Sequence, residues 1–478
     1  MLFNSYEFIF LYLPIVFFGF IFIGKYKQSG VVLWLALASL FFYGYWEIKF
    51  LFLLLGSIIF NYGSGYLIAK FPNKSRLIFI VSICANLVLL GIFKYANFFI
   101  ATSNTFGTQW SSLAIVLPLG ISFFTFTQIA YLVDVYKGIA HEYNFVDYLL
   151  FVTWFPHLVA GPVLHHKQMM PQFSSSSMYK PNYESIAVGL TLFSLGLFKK
   201  VILADNLAPL ANRVFNDAAQ GGLPMIEKAW FGVLAYTLQL YFDFSGYSDM
   251  AIGLSRLFNV KLPLNFNSPY KAANIIDFWR RWHITLSNFL RDYLYVPLGG
   301  NRKGAARRYV NLLITMLLGG LWHGAGWNFV LWGGLHGLYL VVNHTWRTLT
   351  NATGIAKNRV THTIGVLITF IAVMIAWVPF RATSMSATQN IWYGMVGLNG
   401  HEGDSTTLGW YFTGLLIIWA LPNTQQWLSK YAPAWDNVAV MERFSWKPGR
   451  ALAIITGIIF AASVVYFKKN SQFLYFQF

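Results

Sequence analysis

NIIDFWRRWHITLSNFLRDYLYVPLGGNRKGAARRYVNLLITMLLGGLWHGAGWNF, residues 274–329, sets two histidines, His283 and His323, in apolar, tryptophan-rich surroundings on either side of a strongly basic turn. Its first part, 274–294, carries Asp277, Arg280, Arg281, Arg291 and Asp292 and is too charged to cross lipid. At about 100° per residue, a helix there puts Asp277, Arg281, Asn288 and Arg291 on one side. Ile276, Trp279, His283, Leu286 and Leu290 share another, with Ser287 one turn beyond His283. Such a helix is expected to lie at a membrane interface or line a cavity, with His283 aimed inward. The last part joins two apolar runs through small residues: Gly319 and Gly320 precede His323, and Gly324, Ala325 and Gly326 follow it. Small residues let a helix or a ligand approach the backbone. A neutral, desolvated imidazole at such a place suits removal of a proton from an alcohol as it attacks a carbonyl.

Outward from this stretch the chain reads as membrane wall. Of its 478 residues, 56% are hydrophobic and 11% charged, against the roughly 25% charged of a soluble domain. A bilayer core about 30 Å thick needs roughly 20 apolar residues per helix. Runs of that kind recur along the chain, which predicts an all-α polytopic membrane protein with about eleven or twelve transmembrane helices, plus re-entrant and interfacial ones. Solid apolar runs argue against a β-barrel, whose strands alternate polar and apolar residues. The first run, Phe8 to Gly24, has no basic residue before it and Lys25 and Lys27 after it, which places the N-terminus outside. Lys468 and Lys469 place the C-terminus in the cytoplasm. The formal charge of +17 has two compatible meanings, cytoplasmic loops and an anionic cytoplasmic substrate.

Other polar positions divide by context. LLFVTWFPHLVAGPV, broken by Pro156, Gly161 and Pro162, reads as a re-entrant segment with a structural His157. Asp134 is expected near an interface or paired, and the lone Cys84 and His336 are expected simply to pack. In YFDFSGYSDMAIG, Asp243 and Asp249 either serve a functional site or pair with arginines such as Arg280 or Arg281. Residues 186–203 form a span ending on Lys199 and Lys200, and 382–407 a polar loop. The basic turn with Arg302, Lys303, Arg307 and Arg308 is topogenic charge attracting anionic membrane lipid, or a landing site for the phosphates of an acyl-CoA.

Several chemistries find no support. The chain has no G-x-S-x-G elbow, no phosphate-binding G-x-x-x-x-G-K-[ST] and no H-E-x-x-H or Cys/His zinc spacing, so no metal is expected. Nucleic-acid binding is not indicated, because the basic residues are confined to loops. A proton-relaying transporter and a non-catalytic scaffold stand as rival readings.

FWRRWHITLSNFLRDYLYVPLGGNRKG followed by LLGGLWHGAGWNF, together with LPLGISFFTF, FPHLVAGPV and YFDFSGYSDMAIG, resembles the membrane-bound O-acyltransferase family, specifically its bacterial alginate O-acetyltransferase branch. The resemblance implies one integral membrane domain over 1–478, with its most specific motifs in 115–380, folded as a ring-like helical bundle around a tunnel in the bacterial inner membrane. It further implies transfer of an acetyl group from cytoplasmic acetyl-CoA, with no other cofactor, to an exported or cell-surface polysaccharide, aided by a periplasmic or membrane-anchored acetyltransferase partner. By motif, the family's invariant histidine falls on His323 and its second active-site histidine on His283. His323 is then expected to act as general base or to hydrogen-bond the acceptor hydroxyl, with His283 assisting by orienting or stabilising the developing oxyanion. Trp279, Trp282, Ser287, Trp322, Trp327 and Asn328 line the tunnel.

Overall fold

A computed structural model describes residues 1–140, 144–159, 161–353, 358–401, 408–467 and 473–474; Lys468 and Lys469 lie outside the described residues. Among the described residues the chain is helical, with no strand. Lipid offers backbone N–H and C=O groups no partner, so an apolar run must satisfy them within itself, as a helix does. Four helical stretches are long and apolar enough to cross a membrane, Ile48–Lys70, Pro72–Asn104, Tyr183–Ala219 and Arg359–Arg381, and five shorter apolar helices accompany them. Cys84, expected to pack, is exposed on the second of these stretches, where an apolar thiol can face lipid.

The chain divides into two compact units, residues 1–197, 247–264 and 428–472, and residues 198–246, 265–427 and 473–478. In the first unit α1 (Leu13–Gly24), α2 (Gln28–Gly44), α3 (Ile48–Lys70), α4 (Ser75–Leu90), α5 (Ala96–Asn104) and α6 (Ile121–Tyr136) follow in order. Apolar side chains gain little by leaving lipid for each other, so hydrogen bonds and close packing must hold such helices. Asn61 on α3 and Asn86 on α4 exchange amide hydrogen bonds of 3.1 and 2.7 Å, and Gln128 on α6 donates to Ser57 on α3 at 2.9 Å.

The interrupted segment becomes α7 (Phe145–Thr153) and α8 (Phe155–Leu158), broken at Trp154. The Phe155 N–H freed by the break donates to Ser39 Oγ at 3.2 Å, and Trp154 Nε1 donates to Ser255 Oγ at 2.9 Å. His157 is buried and its Nε2 lies 3.1 Å from the Phe151 carbonyl, a structural role. Two more helices, α9 (His166–Phe173) and α10 (Tyr183–Phe198), complete this part.

The second unit contains α11 (Asp205–Ala219), the first turns of α12 (Ile226–Leu257), and then α13 (Ile275–Trp279), α14 (Ile284–Leu290), α15 (Gly304–His323), α16 (Trp327–Thr353) and α17 (Arg359–Arg381). It continues through α18 (Met385–Met395), α19 (Gly409–Ala420) and α20 (Thr424–Trp427); α21 (Arg450–Val465) belongs to the first unit. Of the polar loop expected over 382–407, residues 402–407 lie outside the described residues, and 385–395 are helical. Ser384 accepts the Ala387 N–H and starts α18, which buries Ile391 and Met395.

α15 and α16 form a hairpin with backbones nearly touching. A Cβ on Gly320 would lie 2.1 Å from the Phe329 carbonyl oxygen, and one on Gly333 would lie 2.2 Å from that of Met316. Neither obstacle is a side chain that can turn aside. Gly320→Ala is therefore expected to force the helices apart at about 1–3 kcal/mol or more. A fall in the thermal midpoint of detergent-purified protein measures this, and an unchanged midpoint would contradict the close approach.

Candidate active site

The hairpin delivers His323 at the last turn of α15, where the helix stops because Gly324 is extended. Gly324 admits the Phe329 ring, which a Cβ there would meet at 2.1 Å. His283 arrives differently. The continuous helix expected over 274–294 is broken into α13, a turn at 280–283, and α14. His283 occupies the left-handed region at φ 41°, ψ 54°, a conformation costly for a residue with a Cβ. Asn265 braces it. The Asn265 carbonyl accepts the Ile284 N–H at 3.0 Å, and its Oδ1 takes Thr285 N–H at 3.3 Å and Thr285 Oγ1–H at 2.8 Å. The same Oδ1 lies 3.1 Å from His283 Nδ1.

These two routes bring the imidazoles together, with ring centroids 6.4 Å apart. Both are buried, His283 at 0% exposed and His323 at 3%. Trp322 lies 4.9 Å from His323 and 6.1 Å from His283; Trp332 and Phe380 meet His323 edge-on at 4.9 and 5.2 Å. Phe244 meets His283 at 4.8 Å. Neither α13 nor α14 is long enough to cross a membrane. Burial in the turn between them pushes the His283 imidazole down to about 3, so it is neutral at ordinary pH.

Beyond Trp332 stands His336, fully buried, 4.9 Å from Trp332 and 5.1 Å from Trp279. It packs, as expected, but neither ring nitrogen has a hydrogen-bond partner among the described residues. Of the tryptophans assigned to the lining, Trp279, Trp282 and Trp322 are buried in this aromatic cluster. Trp327 does not join them: it is 56% exposed. Asn328 donates to the Ala382 carbonyl at 2.7 Å and so fastens the start of α16 to the end of α17.

Asp243 does not pair with Arg280 or Arg281. Arg281 bonds Asp277 one helical turn away at 2.9 Å. Asp243 Oδ1 instead lies 2.6 Å from Lys200 Nζ, which also reaches Asp205 at 2.9 Å, and all three are buried. Lys200 thus sits inside the unit rather than at a span's end. Asp243 Oδ2 accepts the Leu474 N–H at 3.1 Å, and Phe473 packs 5.7 Å from Phe244, the ring that touches His283. Asp249 is likewise buried.

A cavity of about 410 Å³ opens beside this cluster, its wall including Trp279, Arg280, Ser287, Asn288, Arg291 and His344. His283 and His323 are not part of that wall; Trp279 and Trp332 stand between it and His323. His344 is within electrostatic reach of Arg308, which places the cavity toward the basic end of α15. There Arg302, Lys303 and Arg307 are exposed and Arg308 is half-buried beside Tyr309. Among the described residues no three His, Cys, Asp or Glu side chains converge as a metal site would need.

The all-helical architecture, with four stretches long and apolar enough to cross a membrane among the described residues, is that of a polytopic membrane protein. A sequence model of the membrane-bound O-acyltransferase family matches residues 121–385, both histidines included, and the chain belongs to that family. It is an O-acyltransferase, in line with its relatives. Over 433 residues it is 47% identical to the peptidoglycan O-acetyltransferase of Helicobacter pylori, covering 84% of this chain and 80% of that one. To the probable alginate O-acetylase AlgI of Pseudomonas aeruginosa it is 44% identical over 408 residues, 83% of this chain and 75% of that one. A teichoic acid D-alanyltransferase of Streptococcus thermophilus is 27% identical over 286 residues, 55% of this chain and 68% of that one.

Proposed function

We propose that this chain takes an acetyl group from cytoplasmic acetyl-CoA and passes it across the bacterial inner membrane for O-acetylation of an exported or cell-surface polysaccharide, alginate-like or another glycan. The observation that carries the reading is the pair of buried imidazoles 6.4 Å apart in one aromatic cage. The kinship to an alginate and a peptidoglycan O-acetylase supports acetyl as the group and a glycan as the acceptor class.

His323 is the general base. It takes the proton of the acceptor hydroxyl as that oxygen attacks the thioester carbon, the C–S bond breaks, and the thiolate leaves with the proton. Its place at the carbonyl end of α15 favours the positive charge it then carries. His283 assists from across the cage. The dry surroundings strengthen each of these interactions. The donor's nucleotide is held in the cavity bounded by Trp279, Arg280 and Arg291, with its phosphates toward Arg302, Lys303, Arg307 and Arg308, and its thioester must pass Trp279 and Trp332 to reach His323. A separate periplasmic or membrane-anchored acetyltransferase completes delivery to the polysaccharide.

Purified protein in lipid nanodiscs, given acetyl-CoA labelled in the acetyl group, tests the assignment. Thioester cleavage that requires His323 is the expected result. Its absence, with a partner acetylase present, would favour the transporter or scaffold instead. The phosphate contact has its own test: the combined Arg302→Gln, Lys303→Gln and Arg307→Gln variant should raise KM for acetyl-CoA several-fold with little change in kcat. The difference should shrink at high salt, because exposed charges act through screened water.

A further inference from the structure

Which nitrogen of His283 carries the proton follows from three contacts. The Asn265 side-chain atom that meets His283 Nδ1 also meets the backbone N–H of Thr285, at 3.3 Å. A backbone N–H can only donate, so that atom is the amide oxygen and not the nitrogen. An oxygen already receiving Thr285 N–H and Thr285 Oγ1–H has nothing to donate to the ring. Nδ1 must therefore supply the hydrogen, which leaves the lone pair of the neutral ring at Nε2. The same amide holds the turn that carries the ring. His283 sits at the head of α14 and gives no side-chain cap, while the main and side chains of Asn265 take the first two N–H groups of that helix.

We propose that Asn265 is a positioning residue for acyl transfer: it fixes His283 as the Nδ1–H tautomer, so that His283 meets the acceptor as a hydrogen-bond acceptor through Nε2. The oxyanion-stabilising role is thereby closed to neutral His283, because its only N–H is already given to Asn265. This rests on the acyl-transfer reading of the histidine pair. The titratable ring facing His283 is that of His323, with centroids 6.4 Å apart.

Three variants and one spectroscopic measurement test the assignment. Asn265→Ala removes the lock and should lower kcat at least about tenfold with KM little changed. Asn265→Asp keeps the acceptor oxygen but adds a charge that favours the imidazolium. The acid limb of the pH–rate profile of thioester cleavage should lie at higher pH in the Asp variant than in wild type, because His283 there takes up a proton more readily. A purely structural role would lower the yield of the Asp variant without moving that limb, and superimposed profiles would overturn the proposal. Thr285→Val frees one side of the amide and should give an intermediate loss. The measurement needs no turnover: in protein labelled with 15N in its histidine rings, the His283 signals, identified by their loss in His283→Gln, should show a protonated Nδ1 and a bare Nε2. The opposite pattern would overturn it. Should wild-type cleavage not depend on His323, the functional reading fails while the 15N spectrum still decides the tautomer.

Discussion

Replacing His323 by alanine is expected to lower acyl transfer by about 10³-fold while leaving the protein in the membrane at normal abundance. General-base catalysis contributes roughly 10²–10⁴-fold, and a deleted imidazole forfeits that whole factor. The ring also fills space between Trp322, Trp332 and Phe380, so alanine leaves a hole that those rings can partly close. His323→Gln separates the two effects, since it preserves most of the volume and offers no titratable nitrogen. Both variants should be equally inactive although their thermal midpoints differ. Undiminished glycan acetylation from cells holding normal amounts of the alanine variant would remove His323 from the chemistry.

Lys200→Met is expected to be the most destabilising single change in the second unit. The ammonium lies between Asp243 at 2.6 Å and Asp205 at 2.9 Å, with the Lys200 and Asp243 side chains 5% and 1% exposed. Taking away one partner of a buried pair leaves an uncompensated charge, at a cost of about 3–5 kcal/mol. Here two carboxylates of like sign are left together, which puts the loss at the upper end of that range. Little folded protein should survive extraction, as size-exclusion profiles of heated detergent samples would show. Adding Asp243→Asn to Lys200→Met should recover a large part of the midpoint, because an amide can stay buried where a carboxylate cannot. A single variant as stable as wild type would mean that the ion pair holds nothing together.

The residues themselves show where sequence reading reached and where it stopped. His323 was legible because its signal is local: glycines on both sides within a few positions, between apolar runs, suit one close hairpin. His283 was legible as a residue but not as a conformation. Helical periodicity carried it smoothly through 274–294, whereas its left-handed φ depends on Asn265, a partner 18 positions upstream. Asn265 gave no pattern of its own, being one asparagine in the polar-apolar connector LPLNFNSPY. Lys200 looked like a charge at a span's end, since the neutralising Asp243 lies on another helix. Trp327 and Trp332 flank the same motif, and only the fold decides that the second meets His323 while the first turns outward.

Phe473 and Leu474 belong to the histidine-bearing unit although the stretch before them, 428–472, belongs to the other. Leu474 caps Asp243 and Phe473 packs on Phe244. The unit that holds the imidazoles therefore draws on chain made about 150 residues after His323. A product truncated before residue 473 therefore leaves Asp243 without one of its hydrogen-bond donors and Phe244 without one of its ring contacts.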